Sequence, residues 1–185
     1  IKCGIIGDNK ILELLKKSKK KVVNRETNIV FKLCYLTLKT KIKFFLNDIQ
    51  EKNTRLSLNF GHTFAHAIEM AIEQKLKRDF IRHGEAVGIG MLCEVFYEKK
   101  RKEKIFCTIE NLLKEYNLPT KIYLNKIPFS KNVLQDSIYK NIFLDKKRAG
   151  KNPRFISIGG LQKSRIKEII DYDHLNETIL KAMHE

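Results

Sequence analysis

The sequence predicts a mainly helical domain of about seven helices, with one small two-stranded element near residues 154–170. Three observations carry this. Apolar residues recur at helical spacing through most long segments, as with Val133, Leu134, Ile138 and Ile142. Capping residues and breakers punctuate those segments, among them Asp8 or Asn9, Ser130 and Pro119. The candidate strand pair is Arg154–Ile158 with Ile166–Ile170, around Gly159-Gly160.

In chain order, residues 1–18 read as a helix interrupted at Gly4 and Gly7, then a second segment capped by Asp8 or Asn9. Residues 27–46 form a long helix, with Thr27 or Asn28 as its cap. Its β-branched and aromatic residues would also suit a strand, but its length favours a helix. A polar connector, 47–58, delivers Arg55. A helix follows over 59–75, with Asn59 near its start. After a basic connector, His83 opens a helix through Val95. Gly88 and Gly90 inside it each cost about 1 kcal/mol relative to alanine, which makes sense where another helix packs close. Residues 105–116 are amphipathic and stop before Pro119. Lys121–Ile127 is irregular or briefly extended. Ser130 caps a helix over 131–143. A basic stretch, D-K-K-R-A-G-K, reads by itself as a solvated loop. Residues 172–184 close the chain as a helix that includes His174 and His184, read as structural or exposed.

At 185 residues, with 43% hydrophobic residues, one domain with a useful core is the default. No apolar run reaches the length of a membrane span, and the N-terminus does not have the pattern of a signal peptide. The chain starts with Ile rather than Met, so a fragment of a longer protein is expected. Cys3, Cys34, Cys93 and Cys107 are scattered without a CxxC pair. Reduced thiols and a cytoplasmic location follow as expectations. The formal charge is +16. Its lysines are spread along the chain, and no zinc finger or aromatic platform accompanies them, so neither nucleic acid nor membrane is the expected partner. A positive field of this kind can steer a small anionic substrate.

Three of the five histidines fall between Arg55 and Met91: His62, His66 and His83. Imidazole titrates near neutrality and is a common metal ligand. His62 and His66 are four apart and share a helix face. Arg55, Asn59, His62 and His66 are spaced to form one polar stripe if the helix begins early, opposite Leu58, Phe64, Ala65, Ile68 and Ala71. Such a stripe faces solvent or lines a site, because burying it without partners is costly. The His pair plus His83 suggests a metal or acid–base site, with three nitrogens suited to zinc.

The two stretches L-N-F-G-H-T-F-A-H-A-I-E and H-G-E-A-V-G-I-G-M closely resemble the 3-dehydroquinate synthases, within the sugar-phosphate cyclase superfamily. I-K-C-G-I-I-G-D at the start and D-K-K near residue 145 also match. The resemblance implies the helical C-terminal domain of that fold over 1–185, with the N-terminal NAD-binding α/β domain absent from this chain. One departure is Ala65, where the family usually has a glycine. Its methyl is expected to crowd a tight helix crossing.

The resemblance also implies roles. Metal ligands would be His62, His83 and a glutamate that falls two residues before Ile1. His66 would face substrate. Lys2, Lys41, Arg55, Asn59 and Lys146, with Lys147 as the alternate, would contact it. Asp48 and Glu51 match the family's acidic positions. The implied cofactors are NAD and Zn2+ (or Co2+). The implied reaction converts 3-deoxy-D-arabino-heptulosonate 7-phosphate into 3-dehydroquinate and phosphate, in a homodimer. The chain alone is expected to bind metal weakly and to be inactive. Alternatives are another sugar-phosphate cyclase, a metal-dependent polyol dehydrogenase, or a non-catalytic basic binding module.

Overall fold

The computed structural model describes residues 1–76, 80–98, 103–144 and 152–184. Its helices are α1 (Lys2–Ile6), α2 (Asn9–Lys17), α3 (Lys19–Val23), α4 (Thr27–Asn47), α5 (His62–Leu76), α6 (His83–Tyr97), α7 (Glu103–Glu115), α8 (Lys131–Leu144) and α9 (Tyr172–Lys181). Strands β2 (Arg154–Gly160) and β3 (Lys163–Glu168) form an antiparallel hairpin, with Ile156 opposite Ile166. The turn is two residues later than expected, at Leu161-Gln162, where Gln162 has a positive φ of 62°.

The helical reading holds, with local corrections. The opening segment does break at Gly7, and the Asp8 side chain accepts from Lys10 N to cap α2. α3 is an additional short helix in the Lys-rich run. α4 is capped by neither Thr27 nor Asn28: Glu26 takes the cap position without a side-chain bond. Ser130 Oγ lies 3.5 Å from Val133 N, as a cap should. The chain end is not all helix. Met183–His184 (β4) pairs in parallel with Ile122–Tyr123 (β1). His174 is buried, bonded to Glu177 at 2.8 Å and to the Phe96 carbonyl at 3.3 Å, whereas His184 is exposed.

Helix α6 is the axis of the fold. It is apolar on all sides, as a central helix must be. Ile89, Cys93 and Tyr97 enter one core with α5, α8 and α9. Ala86, Val87, Met91, Leu92 and Val95 enter a second core with α1, α2, α7 and Ile156 and Ile158 of β2. The α6 glycines explain how neighbours come so close. A Cβ on Gly88 would sit 3.0 Å from Leu113 of α7. A Cβ on Gly90 would collide with the Gly61 carbonyl and sit 3.0 Å from Ala65 N at the entry to α5. Ala65 itself is fully buried at that crossing, so its methyl is accommodated there. Among the described residues, no helix is long and apolar enough to cross a membrane.

Candidate metal and substrate site

The site forms where α5 and α6 both begin. The helix expected from Asn59 starts later, at His62. Residues Thr54–Asn59 instead make a 3-10 turn. Gly61 joins the two with a φ of +84°, a conformation glycine adopts without strain. A Cβ there would also press on the Val87 carbonyl and Met91. Arg55 and Asn59 therefore do not share one helical stripe with His62 and His66. The turn, rather than the helix, carries them.

Their partner is Glu51. Asn59 Nδ2 donates to Glu51 Oε1 at 3.1 Å, and Arg55 Nη2 lies 3.4 Å from Glu51 Oε2. The Arg55 guanidinium also donates to the Ile49 carbonyl and sits 4.8 Å from the centre of the Phe45 ring. Asp48 fixes the connector by accepting from the amides of Lys52, Asn53 and Arg55. These bonds, that from Lys52 foremost, hold its carboxyl below the ordinary range.

The three imidazoles do converge. Ring centres are 5.3 Å apart for His62 and His66, 5.2 Å for His62 and His83, and 5.9 Å for His66 and His83. His62 Nδ1 lies 3.3 Å from the Phe60 carbonyl, and Nε2 lies 3.4 Å from Lys2 Nζ. A proton on Nδ1 for the carbonyl leaves a lone pair on Nε2, aimed at a cation. Burial, then the Lys2 charge, depress the His62 pKa to about 4. The ring is therefore neutral, as a ligand must be. Lys2 also donates to the Leu58 carbonyl at 2.6 Å, and burial lowers its pKa to about 8, with a smaller contribution from the nearby charge of Lys41. Lys41 is exposed on α4.

Asn59, His62, Thr63 and His66 line a cavity of about 220 Å³, closed on the far side by the hairpin residues Arg154–Ile156. Thr63 Oγ1 donates to the Arg154 carbonyl, and the Ser57 and Ser164 hydroxyls meet at 2.6 Å, so the hairpin is tied to the site. Lys146 and Lys147 lie outside the described residues.

Two acidic residues of the site carried no role in the sequence reading. Glu69, the last residue of H-A-I-E, places Oε1 2.9 Å from His83 Nδ1. Ligand atoms of His66, Glu69 and His83 lie within 4.8 Å of one another. Its position, three after His66, was the available signal. Glu94 is fully buried in α6, where its alternation with apolar neighbours gave no signal. Its Oε2 accepts from Ile156 N at 3.2 Å. Burial raises its pKa to about 8, against the opposing pull of the Gly61, Ile156 and Thr63 amides. Glu94 thus joins the entry of α5 to β2.

That burial makes a prediction. A carboxyl with a folded pKa above its unfolded value favours the fold while protonated, and the benefit fades as pH rises from about 4.5 to about 8. His62, depressed to about 4, acts with the opposite sign but only up to about 6.5. Lys2 acts above about 8. Between about pH 6.5 and 8, the wild type is therefore expected to lose melting temperature relative to Glu94→Gln, since the buried Ile1 amine, with its lowered pKa, acts alike in both. Equal slopes in the two melting series would disprove this account of Glu94.

The donor set suits a borderline dication such as Zn2+ or Co2+: imidazole nitrogens, one kept neutral by burial, with a carboxylate beside them. The family model for the C-terminal region of 3-dehydroquinate synthase matches residues 1–148. The chain belongs to the 3-dehydroquinate synthase family. It is 30% identical over 189 residues to the 3-dehydroquinate synthase of Campylobacter jejuni subsp. jejuni serotype O:6, covering 97% of this chain and 49% of that protein. It is 32% identical over 191 residues to that of Clostridium tetani, covering 100% of this chain and 46% of that protein. The chain thus spans about half the length of the curated relatives it matches.

Solved structures share the fold. A 2-epi-5-epi-valiolone synthase from Streptomyces hygroscopicus subsp. jinggangensis 5008, with NAD+ and Zn2+ bound, aligns with a TM-score of 0.74 at 16% identity. That match covers 98% of this chain and 48% of the other. A 2-deoxy-scyllo-inosose synthase complexed with carbaglucose-6-phosphate, NAD+ and Co2+ aligns at 0.64 and 24% identity, covering 84% and 42%. The mainly helical fold of this 3-dehydroquinate synthase relative is therefore that of the sugar-phosphate cyclases.

Proposed function

We propose that this chain is the metal- and substrate-holding half of a 3-dehydroquinate synthase. This lyase converts 3-deoxy-D-arabino-heptulosonate 7-phosphate into 3-dehydroquinate and phosphate, using NAD within the cycle and a divalent metal. The observation that carries the reading is the convergence of His62, His66 and His83 beside Lys2, at a cavity lined by Asn59. His62 and His83 are the proposed protein ligands of Zn2+ or Co2+. When bound, the ion supplies Lewis acidity to a substrate hydroxyl and ketone.

The chain's own groups do the rest. Lys2, with its pKa near 8, offers a cation that can also release a proton near neutral pH. Lys41 and Arg55 add positive charge for the carboxylate and phosphate of the substrate. Arg55 has the planar fork that suits bidentate contact. Lys146, or Lys147, is proposed for the same task. Asn59 is held ready by Glu51, and His66 offers a ring nitrogen to a polar substrate. NAD is proposed to be bound by a further domain, in a homodimeric cytoplasmic enzyme.

The fold shared with two other cyclases supports a second reading, in which a different sugar phosphate is the substrate. The experiment joins this chain to its upstream coding sequence and follows phosphate release from the heptulosonate phosphate. NAD-dependent, chelator-sensitive release that is lost in His83→Ala is the expected result. A folded, metal-binding protein that releases no phosphate would move the assignment to another cyclase or a polyol dehydrogenase. The 185-residue chain alone is expected to show no turnover in the same assay.

A further inference from the structure

Glu69 has been given no role in the reaction, yet it makes the shortest polar contact to any of the three site histidines. Its Oε1 is 2.9 Å from His83 Nδ1. His83 is the first residue of α6, and its side chain is 57% exposed. Its ring meets those of His62 and His66, but more than half of the side chain stays open to solvent, so packing alone holds its rotation weakly. Glu69, on the neighbouring helix, is only 16% exposed and comes from a packed segment between the buried Ile68 and Ala71. The rigid partner therefore restrains the loose one.

The chemistry of the pair settles which nitrogen carries hydrogen. An ionised carboxylate only accepts, so Nδ1 must donate. In the neutral ring the lone pair is then left on Nε2. A carboxylate that holds the far nitrogen of a metal-binding histidine fixes its tautomer, orients the ring and raises its basicity.

We propose that Glu69 is a positioning residue that locks His83 as the Nδ1–H tautomer, with Nε2 free to bind the dication. This rests on the reading of His83 as a metal ligand given above. Glu69 acts through His83 and does not itself bind the ion, although His66 and His83 lie near enough for the three to be mistaken for a ligand triad.

The test has two arms in the 185-residue chain, with helical circular dichroism checked for every variant. The first is nitrogen-15 NMR of the ring of His83, assigned by its loss in His83→Ala. Wild type and Glu69→Gln, whose amide oxygen still accepts, are expected to show Nδ1–H. Glu69→Ala, the substitution least harmful to a helix, is expected to shift His83 towards Nε2–H. The second arm is Co2+ titration read by the visible ligand-field spectrum. Glu69→Ala is expected to weaken binding by about 10- to 100-fold, and Glu69→Gln to stay within a few-fold of wild type. An unchanged His83 tautomer in Glu69→Ala would overturn the proposal. So would a Glu69→Gln chain that loses Co2+ as fully as His83→Ala, which would make Glu69 a direct ligand. Should the 185-residue wild type take up no Co2+, the same titration in the extended protein decides the metal reading, while the NMR arm still decides whether Glu69 sets the ring.

Discussion

Replacing His62 with alanine in the extended protein is expected to lower the affinity for Zn2+ by on the order of 100-fold or more. Zinc held at a small protein site is worth roughly 10 kcal/mol or more, shared among three or four ligands. Losing one nitrogen then removes about 3 kcal/mol, or about two orders of magnitude. His62 is the histidine best prepared for the task. Its ring is neutral far below physiological pH, and its Nε2 already faces a cation, the Lys2 ammonium. His66→Ala serves as the contrast. It is expected to leave metal affinity within a few-fold of wild type and to act on turnover in the extended protein. Competition with a chromophoric chelator measures both variants. A loss in His66→Ala as deep as that in His62→Ala would exchange their roles, and would favour His66, Glu69 and His83 as the ligand set.

Gly90→Ala is expected to be the most damaging glycine-to-alanine change among the described residues. The added Cβ would run into the Gly61 carbonyl and lie 3.0 Å from Ala65 N. Both are backbone, so no side chain can swing aside. Overpacking of this kind costs about 3 kcal/mol, well above the ~1 kcal/mol that alanine gains over glycine in a helix. Relief requires α5 and α6 to separate beside His62, at the entry to α5. Chemical denaturation should therefore report lost stability, and the same variant should bind Zn2+ more weakly even though no ligand has changed. A Gly90→Ala chain as stable as wild type would mean that the crossing is looser than described.

The same crossing explains Ala65. The sequence reading expected its methyl, in place of the family's glycine, to crowd a tight helix crossing. The structure buries it completely, and the site histidines converge beside it. The residue that must be small at this crossing is Gly90, facing the Gly61 carbonyl, and the sequence reading did anticipate a close helix contact there.

Sequence alone determined the helical class, most helix ranges, the hairpin and the three histidines, because each depends on local spacing. Periodicity places apolar faces, breakers end helices, and four residues bring His62 and His66 onto one face. The long motifs also reach the family, since they keep order and spacing along the chain. Only the tertiary structure decided the rest. Whether Arg55 and Asn59 share the helix of His62 depended on where Gly61 bends the chain. The contacts Lys2–His62 and Glu69–His83 cross 60 and 14 residues of sequence. Glu94 became a buried carboxyl between α5 and β2 only through packing. Side-chain chemistry is written residue by residue, but burial and partnership, which set pKa values and aim lone pairs, depend on what the rest of the chain brings alongside.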